Sequence, residues 1–460
     1  MTARRVGIIH PYWDFWESAV EGDFAADRRT LGEVGAATIE AGGASIAWQA
    51  TVQLGDDIAA LVASLDHEVD ALVVVSTMAA SPGAVLELLA ALDRTPLVIW
   101  AAHLGLAVDE NLSHTGITLR GGTVGSPMIG AALTRQGRPF DLVAGEITDS
   151  AAIGDAVRRA CAAGAVRRAR LGVVGSTIPG YEWARVPDER LARIGIEVVA
   201  STPDELAGRI RAVTPEEVGA ARARLEGFSV DADVEPAALD TALRYSVALD
   251  SLVDEGRLSA GTLNCHVAQL RLDPQLGSAP CFALGRSTSS GVPWTCTGDV
   301  ATSLAMLLVA SLGAPTLYHE IEALDEVSHE AILANSGEHD ARFTASTERR
   351  IINNPWFPRE RATASALFSL AAGPASLVGV ASGPDGALTV VVAEGRFTER
   401  TAPDSGTVNA AFEFGSGPIA EAWQRWGSAG VGHHSCATDR HVADDLRAVC
   451  NHLGIGFARV

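Results

Sequence analysis

The stretch that decides the fold is Gly291–His339, which reads GVPWTCTGDVATSLAMLLVASLGAPTLYHEIEALDEVSHEAILANSGEH. A Gly-Val-Pro turn leads to Asp299, and a small apolar run of helix length follows, ended by glycine and proline. A short strand-like segment then ends in Glu320 and Glu322, with histidines on either side. Carboxylates and imidazoles gathered at the ends of elements are typical of a divalent-metal or acid–base site.

Length and composition predict a globular protein of several domains. The chain has 460 residues, of which 47% are apolar and 20% charged, so two or three domains are expected. The net charge of −21 argues against binding to nucleic acid, where basic residues supply most of the affinity. It argues equally against an anionic membrane surface. We therefore predict neither kind of partner.

The basic residues are all arginine, because the sequence contains no lysine among its 35 basic side chains. A Schiff-base lysine is therefore impossible, which excludes lysine-dependent aldolases and pyridoxal-phosphate enzymes. A phosphate-binding loop that depends on lysine is excluded as well.

The six cysteines are scattered and form no CxxC pair: Cys161, Cys265, Cys281, Cys296, Cys436 and Cys450. This spacing resembles neither a disulfide framework nor a zinc ribbon. Cys265 is followed by His266, a nucleophile–base pattern that lacks an orienting third group nearby. The N-terminus has no signal-peptide pattern, and the longest apolar run, 301–312, is too short to span a bilayer. We predict a cytoplasmic protein.

The N-terminal region alternates buried strands with helical segments. Continuous apolar runs at 6–9, 71–76 and 96–100 are typical of strands buried on both faces of a parallel sheet. Such a βαβα order predicts a doubly wound layer, in which ligands bind at the carboxyl ends of the strands. His10 follows the first strand and is a candidate substrate-binding residue. The alternative is a polar residue where a strand simply meets solvent.

Three domains are predicted from changes in pattern. The segment AGAVRRAR at 163–170 ends a first α/β domain, residues 1–165, and a new βα pattern begins a second, residues 166–312. Residues 313–460 contain β-rich segments punctuated by Gly, Ser and Pro, which predict an antiparallel barrel or sandwich. The predicted fold class is α/β: two doubly wound parallel-sheet domains followed by a β-rich C-terminal domain.

A glycine-rich turn, LRGGTVG at 119–125, precedes a helix. Its spacing differs from the GxGxxG fingerprint, so we do not assign a dinucleotide site. It either approaches a ligand closely or simply caps the helix. Arg120 in this turn is a candidate ligand for an anionic substrate.

Two groups of residues are candidates for chemistry, and each has a structural alternative. Asp299 stands where a helix begins, so it either caps the helix or serves the site. Glu320 and Glu322 either form a solvated strand end or act with the nearby histidines. His433 and His434 follow Gly-Val-Gly near the C-terminus. Because neighbours on a strand face opposite sides, we expect at most one of them to reach a metal or substrate.

Four segments together resemble the L-arabinose isomerase/L-fucose isomerase family. They are GVPWTCTGD at 291–299, the TLYHE strand at 316–320, LANSG at 333–337 and GHH at 432–434. The predicted domain order is also similar to that of the family, so the resemblance covers nearly the whole chain.

The resemblance implies a metal-dependent aldose–ketose isomerase, in which a divalent cation, typically Mn²⁺, holds an open-chain pentose or hexose. Acid–base residues then move a proton between C1 and C2 through an enediol. It also implies a homo-trimer or homo-hexamer, in which a neighbour's N-terminal domain helps to close the site. Taking the resemblance together with the residue pattern, we assign Glu320 and Asp299 to catalysis, Glu320, His434 and His339 to the metal, and His10, Thr297, Arg120, His433 and Trp294 to the substrate.

Two departures from the family pattern matter. Thr297 stands where the family has glutamate, and a neutral hydroxyl cannot replace a carboxylate ligand or base. Asn335 and Ser336 stand where the family has a histidine, although His339 follows shortly after. The alternative function is therefore a catalytically altered sugar-binding relative that lost its chemistry at Thr297. The sequence does not identify the sugar.

Overall fold

A computed structural model describes residues 4–105, 108–225, 227–273, 275–344, 349–357, 363–400 and 405–460. The chain forms two compact units. The first contains Met1–Ala165 and Ala448–Gly454, and the second contains Val166–Arg447 and Ile455–Val460. The boundary predicted between residues 312 and 313 lies inside the second unit.

The first unit is built on a five-stranded sheet. Its strands are β1 Arg4–Pro11, β2 Ala44–Val52, β3 Ala71–Ser76, β4 Leu97–His103 and β5 Asp141–Glu146. Its helices are α1 Phe15–Ala19, α2 Phe24–Ala41, α3 Ile58–Ser64, α4 Gly83–Ala91, α5 His114–Thr118, α6 Gly122–Gln136 and α7 Ser150–Arg167. All strands are parallel, in the order β2-β1-β3-β4-β5.

Burial explains why the strands of this sheet could be read from the sequence. Every residue of β3 is buried, as expected for a strand covered on both faces. Side chains of the sheet form one apolar cluster with α2 and α7, and another with α3, α4 and α6. The prediction of a parallel α/β sheet is confirmed for this unit.

The glycine-rich turn packs closely against backbone of the first unit. Gly122 begins α6, where a Cβ would overlap the carbonyl oxygen of Ser76 and lie 2.7 Å from that of Ala102. Arg120 donates from Nε to the carbonyl oxygen of Leu104 and from Nη1 to that of Gly116, at 3.1 and 3.0 Å. Within this unit Arg120 therefore connects the loop after β4 to helix α5.

Replacing Gly122 with alanine should destabilise the protein by about 1–3 kcal/mol, because the added methyl must displace backbone atoms. The matched control is Gly83→Ala, at the first position of α4, where the nearest atom to a Cβ is 3.7 Å away. That control should change the free energy of unfolding by less than about 1 kcal/mol. Urea unfolding of both variants tests this, and equal stabilities would contradict it.

The second unit begins with a parallel sheet and continues into a β-rich region. Its first elements are β6 Arg170–Val174, α8 Asp188–Arg193, β7 Glu197–Ser201, α9 Pro203–Ala212, α10 Pro215–Ala223, β8 Phe228–Val230, α11 Pro236–Gly256, β9 Ala260–Leu263, α12 Cys281–Ser289, β10 Trp294–Cys296 and α13 Val300–Ser311. The parallel sheet has the order β10-β9-β6-β7.

The rest of this unit is mainly β. Its elements are β11 Leu317–Asp325, β12 Glu330–Ala334, β13 Arg349–Asn353, β14 Ala364–Leu367, β15 Gly373–Ser382, β16 Leu388–Phe397, β17 Asn409–Phe414, α14 Ile419–Ser428, β18 His434–Thr438, α15 Ala443–Leu453 and β19 Gly456–Arg459. Helix α15 continues from this unit into the first.

Six strands of this region close into a barrel. Strands β15, β18, β11, β12, β17 and β16 are neighbours in that order, and β15 also pairs with β16. Strand β19 adds to β16, while β14, β13 and β8 form a separate sheet. A barrel, rather than a sandwich, is thus the outcome of the β-rich pattern. Helix α13 packs against β9 on one side and against β15 and β18 of the barrel on the other.

No helix among the described residues is long and apolar enough to cross a membrane.

Candidate metal and active site

A cavity of about 290 Å³ lies in the second unit, between the parallel sheet and the barrel. Its polar and sulfur-bearing lining comes from several parts of the chain and includes Cys265, His266 and Arg271, Cys281, Cys296 and Thr297, Glu320 and Glu322, Asn335 and Ser336, and His433 and His434. The predicted strand end and the histidine pair therefore meet at one cavity.

Loops after three parallel strands are fastened together at this cavity. The side chain of Thr177, after β6, donates to the carbonyl oxygen of Gly298, after β10, at 2.9 Å. The side chain of Asn264, after β9, donates to the carbonyl oxygen of Ser176 at 2.6 Å. Gly298 has a φ of 73°, and a Cβ there would lie 2.7 Å from Thr177 Cα. Only glycine fits this turn without strain.

Strand pairing explains how Glu320 meets His434. Strands β11 and β18 are antiparallel, and these two residues lie directly opposite each other. Side chains at opposite positions share a face, and here His434 Nε2 lies 3.1 Å from Glu320 Oε1. On its other side, His434 Nδ1 lies 3.0 Å from Asp299 Oδ2 and 2.6 Å from the hydroxyl of Tyr318.

Two carboxylates control the charge of His434. Burial opposes a charged imidazole, but hydrogen bonds to Asp299 and Glu320 outweigh it and raise the pKa of His434 to about 9. Burial likewise opposes ionisation of Glu320, yet its interactions with His434 hold the pKa of this carboxyl below its usual value. Without a cation, His434 is thus a buried imidazolium held between two carboxylates.

Asp299 has both of the roles that the sequence left open. Its Oδ1 accepts a hydrogen bond from the Thr302 amide at 2.9 Å, so it caps α13. Its Oδ2 contacts His434. Asp299 is 0% exposed and is not among the described residues that line the cavity. Among the described residues, Asp299 therefore contacts His434 without lining the cavity itself.

His433 completes a group of three donors. The ligand atoms of Glu320, His433 and His434 all lie within 4.8 Å of one another, close enough to hold a metal ion. The His433 ring packs edge-on against Tyr181 and Trp183, with centroids 5.3 and 4.8 Å apart. His433 precedes the first residue of β18, so the strand rule that separates neighbouring side chains does not apply to this pair. Both histidines therefore line the cavity, and whether one or both reach a metal or substrate stays a prediction.

Glu322 lies on a bulge of β11 rather than at a strand end. The strand continues to Asp325, and its register against β12 shifts between Ile321 and Ala323. Such a bulge re-aims a side chain, and Glu322 joins Glu320 in the cavity lining. Burial, with a contribution from the Glu320 charge, raises the pKa of Glu322.

Thr297 lines the cavity in an unusual backbone conformation. Its φ is 61°, in the left-handed region that a β-branched residue rarely adopts. Its hydroxyl donates to the carbonyl oxygen of Cys296 at 2.7 Å. Strain of this kind typically costs about 1–3 kcal/mol and is concentrated at functional sites.

Two predicted site residues lie in the core instead. Trp294 is 0% exposed, and its ring fills the space over Gly261 and Gly172 of neighbouring strands, so it supports the sheet rather than a substrate. His339 is buried and packs edge-on against Phe368, with centroids 6.3 Å apart. Burial lowers the pKa of His339 to about 3, and it does not belong to the group of donors around Glu320 among the described residues.

His10 belongs to the first unit and lines a cavity there of about 460 Å³, with Tyr12, Arg29 and Gln49. Its Nε2 lies 3.1 Å from Gln49 Oε1. Burial lowers its pKa, so the imidazole is neutral at physiological pH.

Sequence reasoning missed two features of the site. One is the contact between Cys265 and Cys296, and the other is the aromatic side chain of Tyr181 in the cavity lining. Cys265 Sγ lies 3.5 Å from Cys296 Sγ because β9 and β10 are adjacent. Tyr181 comes from the loop after β6 and also lines the cavity. Cys265 and Cys296 lie at or just after the ends of β9 and β10, which could have predicted their contact. That prediction requires knowing that β9 and β10 are neighbours in the sheet.

The donor set around Glu320 fits a divalent metal ion. A carboxylate and two imidazoles are ligands that Mn²⁺, Zn²⁺ and similar ions take in proteins. When a ligand histidine donates one ring N–H to a carboxylate, the proton is fixed on that nitrogen and the other nitrogen is free to bind a metal. Asp299 is placed to accept such a hydrogen bond from His434 Nδ1.

No family model matches the chain, and no curated protein matches it significantly. The site's own chemistry therefore carries the functional argument.

Proposed function

We propose that this chain is a divalent-metal-dependent aldose–ketose isomerase that acts on an open-chain pentose or hexose. The observation that carries the proposal is the convergence of Glu320, His433 and His434, whose donor atoms lie within 4.8 Å of one another beside a cavity. A bound cation would supply Lewis-acid chemistry, polarising the sugar carbonyl and stabilising negative charge on its oxygen.

The protein's own residues divide the remaining work. Asp299 and Tyr318 hold the Nδ1 side of His434, so that its Nε2 is directed toward Glu320. Glu322 lines the same cavity and is the carboxylate available to take the proton from C2 and return it to C1. Tyr181 supplies apolar surface on which a sugar can pack.

Three finer features belong to the same proposal. They are the preference for manganese, a cytoplasmic location with assembly into trimers or hexamers, and doubly wound layers in both parallel-sheet domains. Each follows from the sequence pattern or from the family resemblance.

The test is metal content and isomerase activity of the same purified protein. After treatment with a chelator and reloading with Mn²⁺, elemental analysis should find about one bound ion per chain that is lost from Glu320→Gln. The loaded protein should then interconvert at least one aldose and its ketose. Absence of bound metal at saturating Mn²⁺ would overturn the proposal. Sugar binding by calorimetry, with metal but without turnover, would instead support the sugar-binding relative indicated by Thr297.

A further inference from the structure

A second group of donors lies in the same cavity and uses different chemistry. It consists of Cys265, His266 and Cys296, whose ligand atoms also lie within 4.8 Å of one another. None of these residues has a role in the isomerase proposal. From their geometry we propose a separate site for a thiophilic divalent cation of the zinc type, held by two thiolates and one imidazole.

The two sulfurs are already at a suitable separation. Strands β9 and β10 are parallel neighbours with Leu263 opposite Cys296, and Cys265 follows Leu263 by two residues. The resulting distance from Cys265 Sγ to Cys296 Sγ is 3.5 Å. Two thiolates bound at about 2.3 Å to a tetrahedral zinc lie about 3.8 Å apart, so only a small adjustment is needed.

The turn that carries Cys265 and His266 is fixed in place. Asn264 Oδ1 accepts a hydrogen bond from the His266 amide at 3.0 Å, while its Nδ2 holds the carbonyl oxygen of Ser176. Arg271 Nη1 lies 3.0 Å from His266 Nδ1. Because a guanidinium only donates, His266 Nδ1 accepts this hydrogen bond, and Arg271 must be displaced if this nitrogen is to bind the cation.

The three proposed ligands differ in burial. Cys265 and Cys296 are 2% and 6% exposed, whereas His266 is exposed, and all three line the cavity. Three protein ligands with the fourth position open to a cavity is the arrangement of catalytic rather than structural zinc sites. Glu320 and His434 line the same cavity as these three residues.

An independent observation also points to a cation here. Glu338 is 0% exposed, and neither carboxyl oxygen has a hydrogen-bond partner among the described residues. It lies near Cys281 and Cys296, whose thiols interact with it. A divalent cation together with Arg271 would balance the charge of two thiolates and this carboxylate, and would thereby remove the cost of burying it.

The experiment titrates the reduced, metal-free full-length protein with Co²⁺, which gives an intense sulfur-to-cobalt charge-transfer band only when thiolates bind. We expect the band to saturate at one ion per chain, to bleach when Zn²⁺ is added, to weaken in Cys265→Ser and in Cys296→Ser, and to be absent from the variant that carries both substitutions. Cys450→Ser, a buried cysteine of the first unit, is the matched control and should keep it.

His266→Ala provides a variant that removes an exposed side chain, so its folding is not at risk. It should weaken Co²⁺ binding at least about tenfold. Glu320→Gln and His434→Ala should keep the thiolate band, which separates this site from the one proposed for isomerisation. A saturating titration without the band, or a band that keeps its full intensity in the variant carrying both Cys265→Ser and Cys296→Ser, would overturn the proposal whatever the outcome of the isomerase test.

Discussion

His434→Ala is expected to abolish binding of one Mn²⁺ per chain and, with it, aldose isomerisation. His434 is the donor with contacts on both sides: Glu320 Oε1 lies 3.1 Å from its Nε2 and Asp299 Oδ2 lies 3.0 Å from its Nδ1. Its removal takes away one ligand and also leaves two carboxylates facing a buried gap. Loss of even an outer partner of a ligand histidine typically costs 10–100-fold in metal affinity, so loss of the ligand itself should cost about 100-fold or more.

Asp299→Asn tests the reason for this effect more finely. The amide can still cap α13 through its oxygen, so folding should be preserved. The NH₂ group then faces His434 Nδ1 and donates to it, which moves the imidazole proton to Nε2, on the side of Glu320. We expect Mn²⁺ affinity to fall roughly 10–100-fold, less than in His434→Ala.

The matched control is His441→Ala, an exposed histidine whose Nε2 lies 3.0 Å from the carbonyl oxygen of Gly395. Isothermal titration with Mn²⁺ on chelated protein measures all three variants. Equal affinities in His434→Ala and the wild type would mean that this histidine holds no metal. An Asp299→Asn variant with unchanged affinity would mean that the tautomer of His434 is fixed by Tyr318 alone.

The parallel sheets could be predicted from the sequence because their signal is local. Each residue of β3 is buried, and a continuous apolar run of this length is visible without knowledge of any partner strand. The helix after Asp299 is equally local, since the aspartate that begins it caps it. Composition and short-range pattern were sufficient for both.

The site itself depends on contacts that local patterns do not encode. Glu320 and His434 are 114 residues apart and meet only because β11 pairs with β18 in one register. The bulge at Glu322 follows from how β11 fits β12, so the sequence placed this carboxylate at a strand end instead. Long-range register is set by the whole barrel, not by either segment.

Trp294 was assigned to the substrate because its aromatic side chain lies next to a site motif in the sequence. The indole fills a space that exists because Gly261 and Gly172 stand on the neighbouring strands. Neither glycine lies near Trp294 in the sequence. His339 was assigned to the metal because it lies close in sequence to Asn335, where the family has a histidine. In the structure its buried ring packs against Phe368 instead.

Glu322→Gln is expected to lower isomerase turnover by about 10²–10⁴-fold while leaving the bound metal in place. Glutamine has the same size as glutamate but cannot accept a proton, and the bulge of β11 that places Glu322 in the cavity does not depend on its charge. The substitution therefore removes proton transfer without removing the donors Glu320, His433 and His434.

A substrate deuterated at C2 makes the experiment specific for this step. Release of the label to solvent should slow in parallel with turnover in Glu322→Gln and should be unchanged in Glu326→Gln, an exposed glutamate just beyond the same strand that does not line the described cavity. If Glu322→Gln kept both its metal and its rate of label release, the proton would pass through another group. Glu320 would then have to act as both metal ligand and base. A carboxylate bound to a cation is a weaker base than a free carboxylate such as Glu322. Glu320 lies against His434, whereas Glu322 lies on the bulge of β11. We therefore expect metal binding to depend on Glu320 and proton transfer to depend on Glu322.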